Sequence, residues 1–410
     1  MATEPRPSCK KTSGACAGAP ELPTRCTSSA TPSITVCSIA RCYGNAASAG
    51  LHWRTPTHRP SPVLQLRQFA VFVGLAASLF ASAQTPPAPA RPAAAPAPAA
   101  TPAIAGLSAP VFVLNSQDAD VSVIDASGGD WKVVRRIASG KEPHHLYMTP
   151  DEKSVIVANA QSDTLTFIDP RTAEVQRTVR GIIDPYHLRF SPDMKWFVTA
   201  ANRLDHVDLY RWDGKDLQLA RRIPTGKTPS HIWIDSRSTT AFVTMQDSDE
   251  LVAIDLATQA LKWRAKTGPM PADVFGTADD RFLLVGMTGG DHVEVWDLTG
   301  PQPRVTRRIK TGAGAHAFRS AGDRRHVYVS NRVANTISKI DLQSLEVVDT
   351  LPAPGGPDCM ELVAGGRLLL VTSRWARRLT VIDTQTRQVV RQVAVGKSPH
   401  GVWTLDHVRH

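Results

Sequence analysis

HLYMTPDEKSVIVANAQSDTLTFIDPRTAEVQRTV, residues 145–179, holds four short runs of β-formers. The runs are HLYM, SVIVAN, TLTFID and VQRTV, and the breaks between them are TPDEK, AQSD and PRTAE. Apolar runs of four to six residues, cut by clusters of Pro, Asp and Ser, predict an antiparallel meander rather than helices. A lone four-stranded meander cannot cover both of its faces. The rest of the chain must supply the cover.

It does so by repetition. The apolar run ending in Asp recurs as VSVID at Asp125, LTFID at Asp169, LYRWD at Asp213 and LVAID at Asp255. It continues as VEVWD at Asp297, ISKID at Asp341 and LTVID at Asp383, at intervals of 42 or 44 residues. One four-stranded unit at such a period is a propeller blade. Each aspartate ends a strand just before a turn, where its carboxylate can accept backbone N–H groups two or three residues on.

Counting units closes the ring. Six complete units begin at Gly140, Gly181, Gly226, Gly268, Gly312 and Gly356. Two fragments remain: GKSPHGVWTLDHV at the C-terminus has one inner strand, and residues 111–139 have the three strands such a unit lacks. The expectation is an all-β, seven-bladed β-propeller over residues 110–410, with four-stranded antiparallel blades. N- and C-terminal strands share the seventh blade and close the ring.

The units resemble the YVTN family of β-propeller repeats found in secreted bacterial proteins. The resemblance rests on GKEPHHLYMTPDEKSVIVAN and DPYHLRFSPDMKWFVTAAN, and on VYVSN ending at Asn331, and it spans residues 111–410. It implies fold and an extracytoplasmic compartment. Of activity it implies little, since related propellers bind peptides, nucleic acids or cofactors, or open lactones.

Ahead of the repeats the composition changes. LRQFAVFVGLAASLFASAQ reads as a secretory signal peptide: Arg67, an apolar stretch from Phe69 to Phe80, and Ala81-Ser82-Ala83 before Gln84. The apolar stretch is short of the ~20 residues of a membrane span, so no span is expected after cleavage at the end of residues 63–83. Residues 1–62 hold Cys9, Cys16, Cys26, Cys37 and Cys42 and no hydrophobic period. They read as an extension from an over-early start, with initiation near Val63 or Leu64. Residues 84–109 form a Pro/Ala spacer. A periplasmic or secreted protein is the expectation.

The formal charge of +10 is misleading about partners. Residues 1–83 hold eight Lys/Arg and two Asp/Glu, so the remainder stands at only +4. That argues against a nucleic-acid platform. A ring that covers its own edges is expected to be a monomer.

The chemistry-bearing pattern follows each Gly-x-x-Pro phrase. There the repeats show His144 and His145, His187, His231, Asp273, His316 and His400. The Gly356 unit departs from this with Asp358, Cys359 and Met360. The slot starts an innermost strand, so these side chains are expected to line the channel mouth, where propellers bind. Imidazoles there could pin the turn, hold a metal ion or an axially ligated haem-type cofactor, or line a pocket for an anionic or peptide ligand. For a metal ion the candidates are His145, His187, His231 and His316, although neither HExxH nor CxxCH occurs. An aromatic follows the slot as Tyr147, Trp233, Phe275, Phe318 and Trp403, with Arg189 in one unit. The functional expectation is an exported binding or scaffold module for a protein, peptide or small-molecule partner. A cofactor-dependent propeller and a lactonase-like hydrolase using Glu361, Asp273 or Arg189 are the alternatives.

Overall fold

The structure, a computed structural model, describes residues 106–409. The extension, the leader and nearly all of the spacer read from the sequence lie outside the described residues. Twenty-eight strands among the described residues form seven four-stranded antiparallel sheets, without an α-helix. Six sheets are sequential meanders, which we number as blades 1 to 6: residues 143–180, 185–224, 229–266, 271–310, 315–352 and 357–394. Blade 7 is composite. Pro399–Thr404 is its innermost strand, paired antiparallel with Val111–Asn115, and Asp120–Asp125 and Lys132–Ala138 complete it.

Each strand's composition follows from its place in the blade. Second strands such as Val155–Asn159 and Trp196–Ala201 are buried at every position, which is why they read as unbroken apolar runs. Outer strands such as Val175–Arg180 and Arg304–Lys310 face water and carry Arg and Lys, which keeps these open edges from pairing with another chain. Seven apolar clusters fill the seven seams between neighbouring blades. Phe112, Leu114 and Val121 of blade 7 meet Val155, Val157 and Ile168 of blade 1, for example. A fully buried Phe, Leu or Ile stabilises by about 1.5–3 kcal/mol, so every seam, including the one at the chain ends, contributes to closure.

The repeated polar residues are structural. All seven ruler aspartates accept a backbone N–H in the turn that follows; Asp169 accepts from Arg171 and Thr172, and Asp341 from Gln343 and Ser344. The strand-ending asparagine braces the next hairpin. Asn159 Nδ2 donates to the hydroxyls of Thr164 (3.1 Å) and Thr166 (3.0 Å), and Asn331 does the same to Thr336 and Ser338. Because those groups are buried, Asn159→Ala is expected to cost about 1–3 kcal/mol; thermal or urea unfolding of the variant checks it.

Asparagine also explains the glycine of the repeated phrase. A Cβ on Gly140 would stand 2.5 Å from Asn159 Cβ, and one on Gly396 would stand 2.5 Å from Asn115 Cγ. At Gly140, Gly226, Gly312 and Gly396 the glycine is there for close passage, whereas Gly181 meets nothing within 4 Å and has a φ of 85°. In every blade left-handed backbone falls on the residue just before the innermost strand: Glu142, Asp184, Thr228, Met270, Gly314, Gly356 and Ser398, with φ from 44° to 80°. That twist delivers the strand to the channel.

Candidate functional site

In every blade the pairing of the innermost strand with its neighbour slips just after its first residue. The shift falls between Pro143 and Leu146, Pro229 and Ile232, Pro271 and Val274, and Pro357 and Met360, and at matching places elsewhere. These are β-bulges, which re-aim side chains. The single histidine slot of the sequence therefore becomes two adjacent positions. The first holds His144, Tyr186, Ser230, Ala272, His316, Asp358 and His400. The second holds His145, His187, His231, Asp273, Ala317, Cys359 and Gly401. All six histidines are buried in the channel, none more than 9% exposed.

At the first position the residues gather around an anion. Asp358 is fully buried, with Arg332 at 2.7 Å, Arg374 at 3.1 Å, His316 Nε2 at 3.0 Å and His400 Nε2 at 3.5 Å. Burial alone would raise its carboxyl, but Arg332, His400 and His316 outweigh it and hold the group well below the usual carboxylate range. His400 Nδ1 donates to the His144 carbonyl (2.9 Å), and the His144 ring stacks on His400 and Tyr186, 3.6 and 4.0 Å between centroids. This tier is a charged plug whose members mostly satisfy one another.

The second position is different. His145, His187 and His231 come from blades 1, 2 and 3, with ring centroids 4.5 to 4.9 Å apart. His145 Nδ1 donates to the Tyr186 carbonyl (2.8 Å), so its Nε2 keeps a bare lone pair. His231 Nδ1 meets the Ser230 hydroxyl at 3.0 Å. Three buried nitrogens, His145 Nε2, His187 Nδ1 and His231 Nε2, have no hydrogen-bond partner. Burial, and then the neighbouring imidazoles, push His231 and His187 well below their ordinary value. Burial carries His145 down to about 4 against the proton-favouring bond to Tyr186. All three are neutral near pH 7.

These three imidazoles line a cavity of about 400 Å³ that runs along the innermost strands to Thr149, Pro150 and His407. Asp273 lines it too, with its carboxylate accepting the N–H groups of Val274 and Phe318, both at 2.8 Å. Burial raises that carboxyl to about 6 despite those bonds and Arg189. Below lies a third ring of side chains. Arg189 lies over the Trp233 ring, 4.1 Å from its centroid, and Arg319 pairs with buried Glu361. Tyr147, Phe275 and Trp403 share this level; Phe318 does not. Its pairing with Val329 sets it one residue earlier, and Arg319 takes the position read from the sequence as aromatic.

His316, read from the sequence together with His145, His187 and His231, is placed with Asp358 and His400 instead. The sequence reading overlooked Arg332 and Arg374. Their signal was an arginine directly after the second strand in two consecutive units, VYVSNR and LLLVTSR.

The signature of the YNCE-like beta-propeller family matches residues 69–410. No curated protein matches the chain. Among solved structures, the Pseudomonas aeruginosa periplasmic gluconolactonase PpgL superposes with a TM-score of 0.63 at 20% identity, covering 73% of this chain and 99% of that one. A functionally unknown protein from Desulfotomaculum acetoxidans gives 0.63 at 16% identity over 72% and 98%. The dihydro-heme d1 dehydrogenase NirN gives 0.52 at 20% identity over 76% and 78%. At these identities the likeness extends to the fold.

Proposed function

The chain belongs to the YNCE-like beta-propeller family, and from that premise we propose that it is an exported binding module. It takes a small anionic, polyhydroxylated ligand, with a sugar acid as the type, into its channel cavity. The observation that carries this reading is the set of unpartnered nitrogens on His145, His187 and His231 at the wall of that cavity. A buried polar group without a partner costs about 1–3 kcal/mol, and ligand hydroxyl groups donating to bare imidazole nitrogens would recover it. Arg189 supplies the cation, since Arg319 is neutralised by Glu361. Trp403 and Tyr147 supply apolar faces. The volume is that of a small-molecule site. Export is supported by the leader-like residues 63–83 and by the periplasmic naming of one solved neighbour. Among the described residues no helix is long and apolar enough to cross a membrane.

Calorimetric titration of the full-length protein with gluconate tests the reading. Saturable one-site binding is expected, weakened at least about tenfold in Arg189→Ala by loss of a charge-assisted hydrogen bond. Absence of binding to folded protein at millimolar gluconate overturns it.

Asp273 favours a second reading. A carboxyl raised to about 6, facing the same cavity, is suited to proton transfer near neutral pH. Turnover of gluconolactone that falls by about a hundredfold or more in Asp273→Asn would replace the binding module with a hydrolase.

A further inference from the structure

We propose that His145, His187 and His231 form a three-imidazole site for a divalent first-row transition metal, with its open coordination positions facing the channel cavity. The inference rests on the reading of that cavity as the ligand site, and it names what occupies its histidine wall.

Position comes first. The three residues occupy one bulge position in three consecutive blades, so the fold itself converges them, and one nitrogen of each lies within 4.8 Å of the others. Nitrogens bound to one zinc at about 2.0–2.1 Å stand roughly 3.3 Å apart in tetrahedral geometry. The rings therefore need to draw in by about 1 Å or a little more, within reach of side-chain rotation.

The donor atoms are in the right state. The Tyr186 carbonyl holds the proton of His145 on Nδ1 and leaves Nε2 bare, which is how metal-ligating imidazoles are oriented by an outer partner. The Ser230 hydroxyl is placed to do the same for His231. One buried nitrogen on each of the three, His145 Nε2, His187 Nδ1 and His231 Nε2, has no hydrogen-bond partner.

Donor chemistry narrows the metal. An all-imidazole set suits zinc, copper, nickel or cobalt, whereas calcium and magnesium take oxygen. Three protein ligands and an open side are the pattern of sites that bind a further small ligand or water. The two other groups cannot serve as well. In that of His144, His145 and His400, His400 Nδ1 donates to the His144 carbonyl and its Nε2 faces Asp358. In the cluster of His316, Asp358 and His400 the carboxylate is already held by Arg332 and Arg374, whose charges repel a cation.

The test is zinc loading of the full-length protein, purified without a metal-affinity step, followed by dialysis and elemental analysis. About one equivalent is expected, with an unfolding midpoint raised by several degrees on loading. His187→Ala and His231→Ala should each weaken zinc binding at least about a hundredfold, and His326→Ala, outside the channel, should not. Cobalt loading should give visible bands without sulfur-to-metal charge transfer. Less than about a tenth of an equivalent on folded wild-type protein overturns the proposal without recourse to any variant. So does binding that survives in the trio variants and fails in His316→Ala, a cobalt–thiolate spectrum that assigns the metal to the N-terminal cysteines, or a tetrapyrrole spectrum in the purified protein. Metal loss with gluconate binding intact overturns this inference alone. Metal binding with no response to gluconate overturns only the ligand reading.

Discussion

Replacing Asp358 with alanine is expected to destabilise the propeller by about 3–5 kcal/mol, the loss seen when one partner of a buried charge group is removed. The carboxylate is fully buried and is the common counter-ion of Arg332 and Arg374, which are themselves only 18% and 27% exposed. Without it two guanidinium groups face each other at one end of the channel. Asp358→Asn keeps the volume and should lose nearly as much, because charge is what the arginines need. The surface pair Arg135–Glu174, also 2.7 Å apart, provides the contrast. Both partners are well exposed, so Glu174→Ala should change stability by at most about 1 kcal/mol. Urea unfolding of the three variants reads all of this directly. Equal losses for Asp358→Ala and Glu174→Ala would show that the plug is not a buried charge cluster.

The second large effect is acid sensitivity, beginning unusually early. An unfolded histidine takes up its proton near pH 6.5. In the folded channel, burial and then Arg332 hold His316 down to about 4, while burial and neighbouring imidazoles push His144 and His400 well below 6.5. Below pH 6.5 the unfolded chain therefore binds more protons than the folded one, and stability falls as pH falls until the folded groups titrate. A shift to about 4 corresponds to roughly 3 kcal/mol for His316 taken alone. Asp273 acts the other way, its raised carboxyl adding stability in acid that is lost as pH rises through about 6, and burial raises Glu361 and Asp184 as well, but these are three carboxyls against six imidazoles. Unfolding free energy measured in EDTA should be level above pH 7 and drop steeply between about 6.5 and 4. His316→Gln should make the slope shallower. A level profile down to pH 4.5 would mean that the imidazoles are already charged or solvated in the native state.

Blade number and closure were legible in the sequence because both are written in local chemistry. The ruler aspartates and the apolar second strands depend on neighbours a few residues away, and those neighbours repeat with them. The seventh blade showed itself as a remainder of one strand at one end and three at the other. The site was legible only as a list. A bulge is a property of pairing, so the sequence could not show that His144 and His145 belong to different tiers, or that His316 sits with Asp358 rather than with His231. The Gly356 unit looked like a lapse in the pattern. In three dimensions its Asp358 is the anion around which the first tier is organised, and within that unit only the arginine after the second strand, Arg374, marks it. Phe318 was misplaced for the same reason, by one residue of register.

The composite blade also sets a clock on folding. The edge of Val111–Asn115 finds its partner only in Pro399–Thr404; Asn115 and Gly396, which hydrogen-bond there, are 281 residues apart in the chain. At synthesis rates of about 5–20 residues per second, the first three strands wait roughly 15–60 s for the last to emerge. During that wait the nascent chain is an open ribbon with a bare apolar seam, and contacts of such long range form slowly in any case. For a protein exported as proposed, the delay is useful. The ring cannot lock before Pro399–Thr404 leaves the ribosome, so the chain stays threadable until that strand has been made.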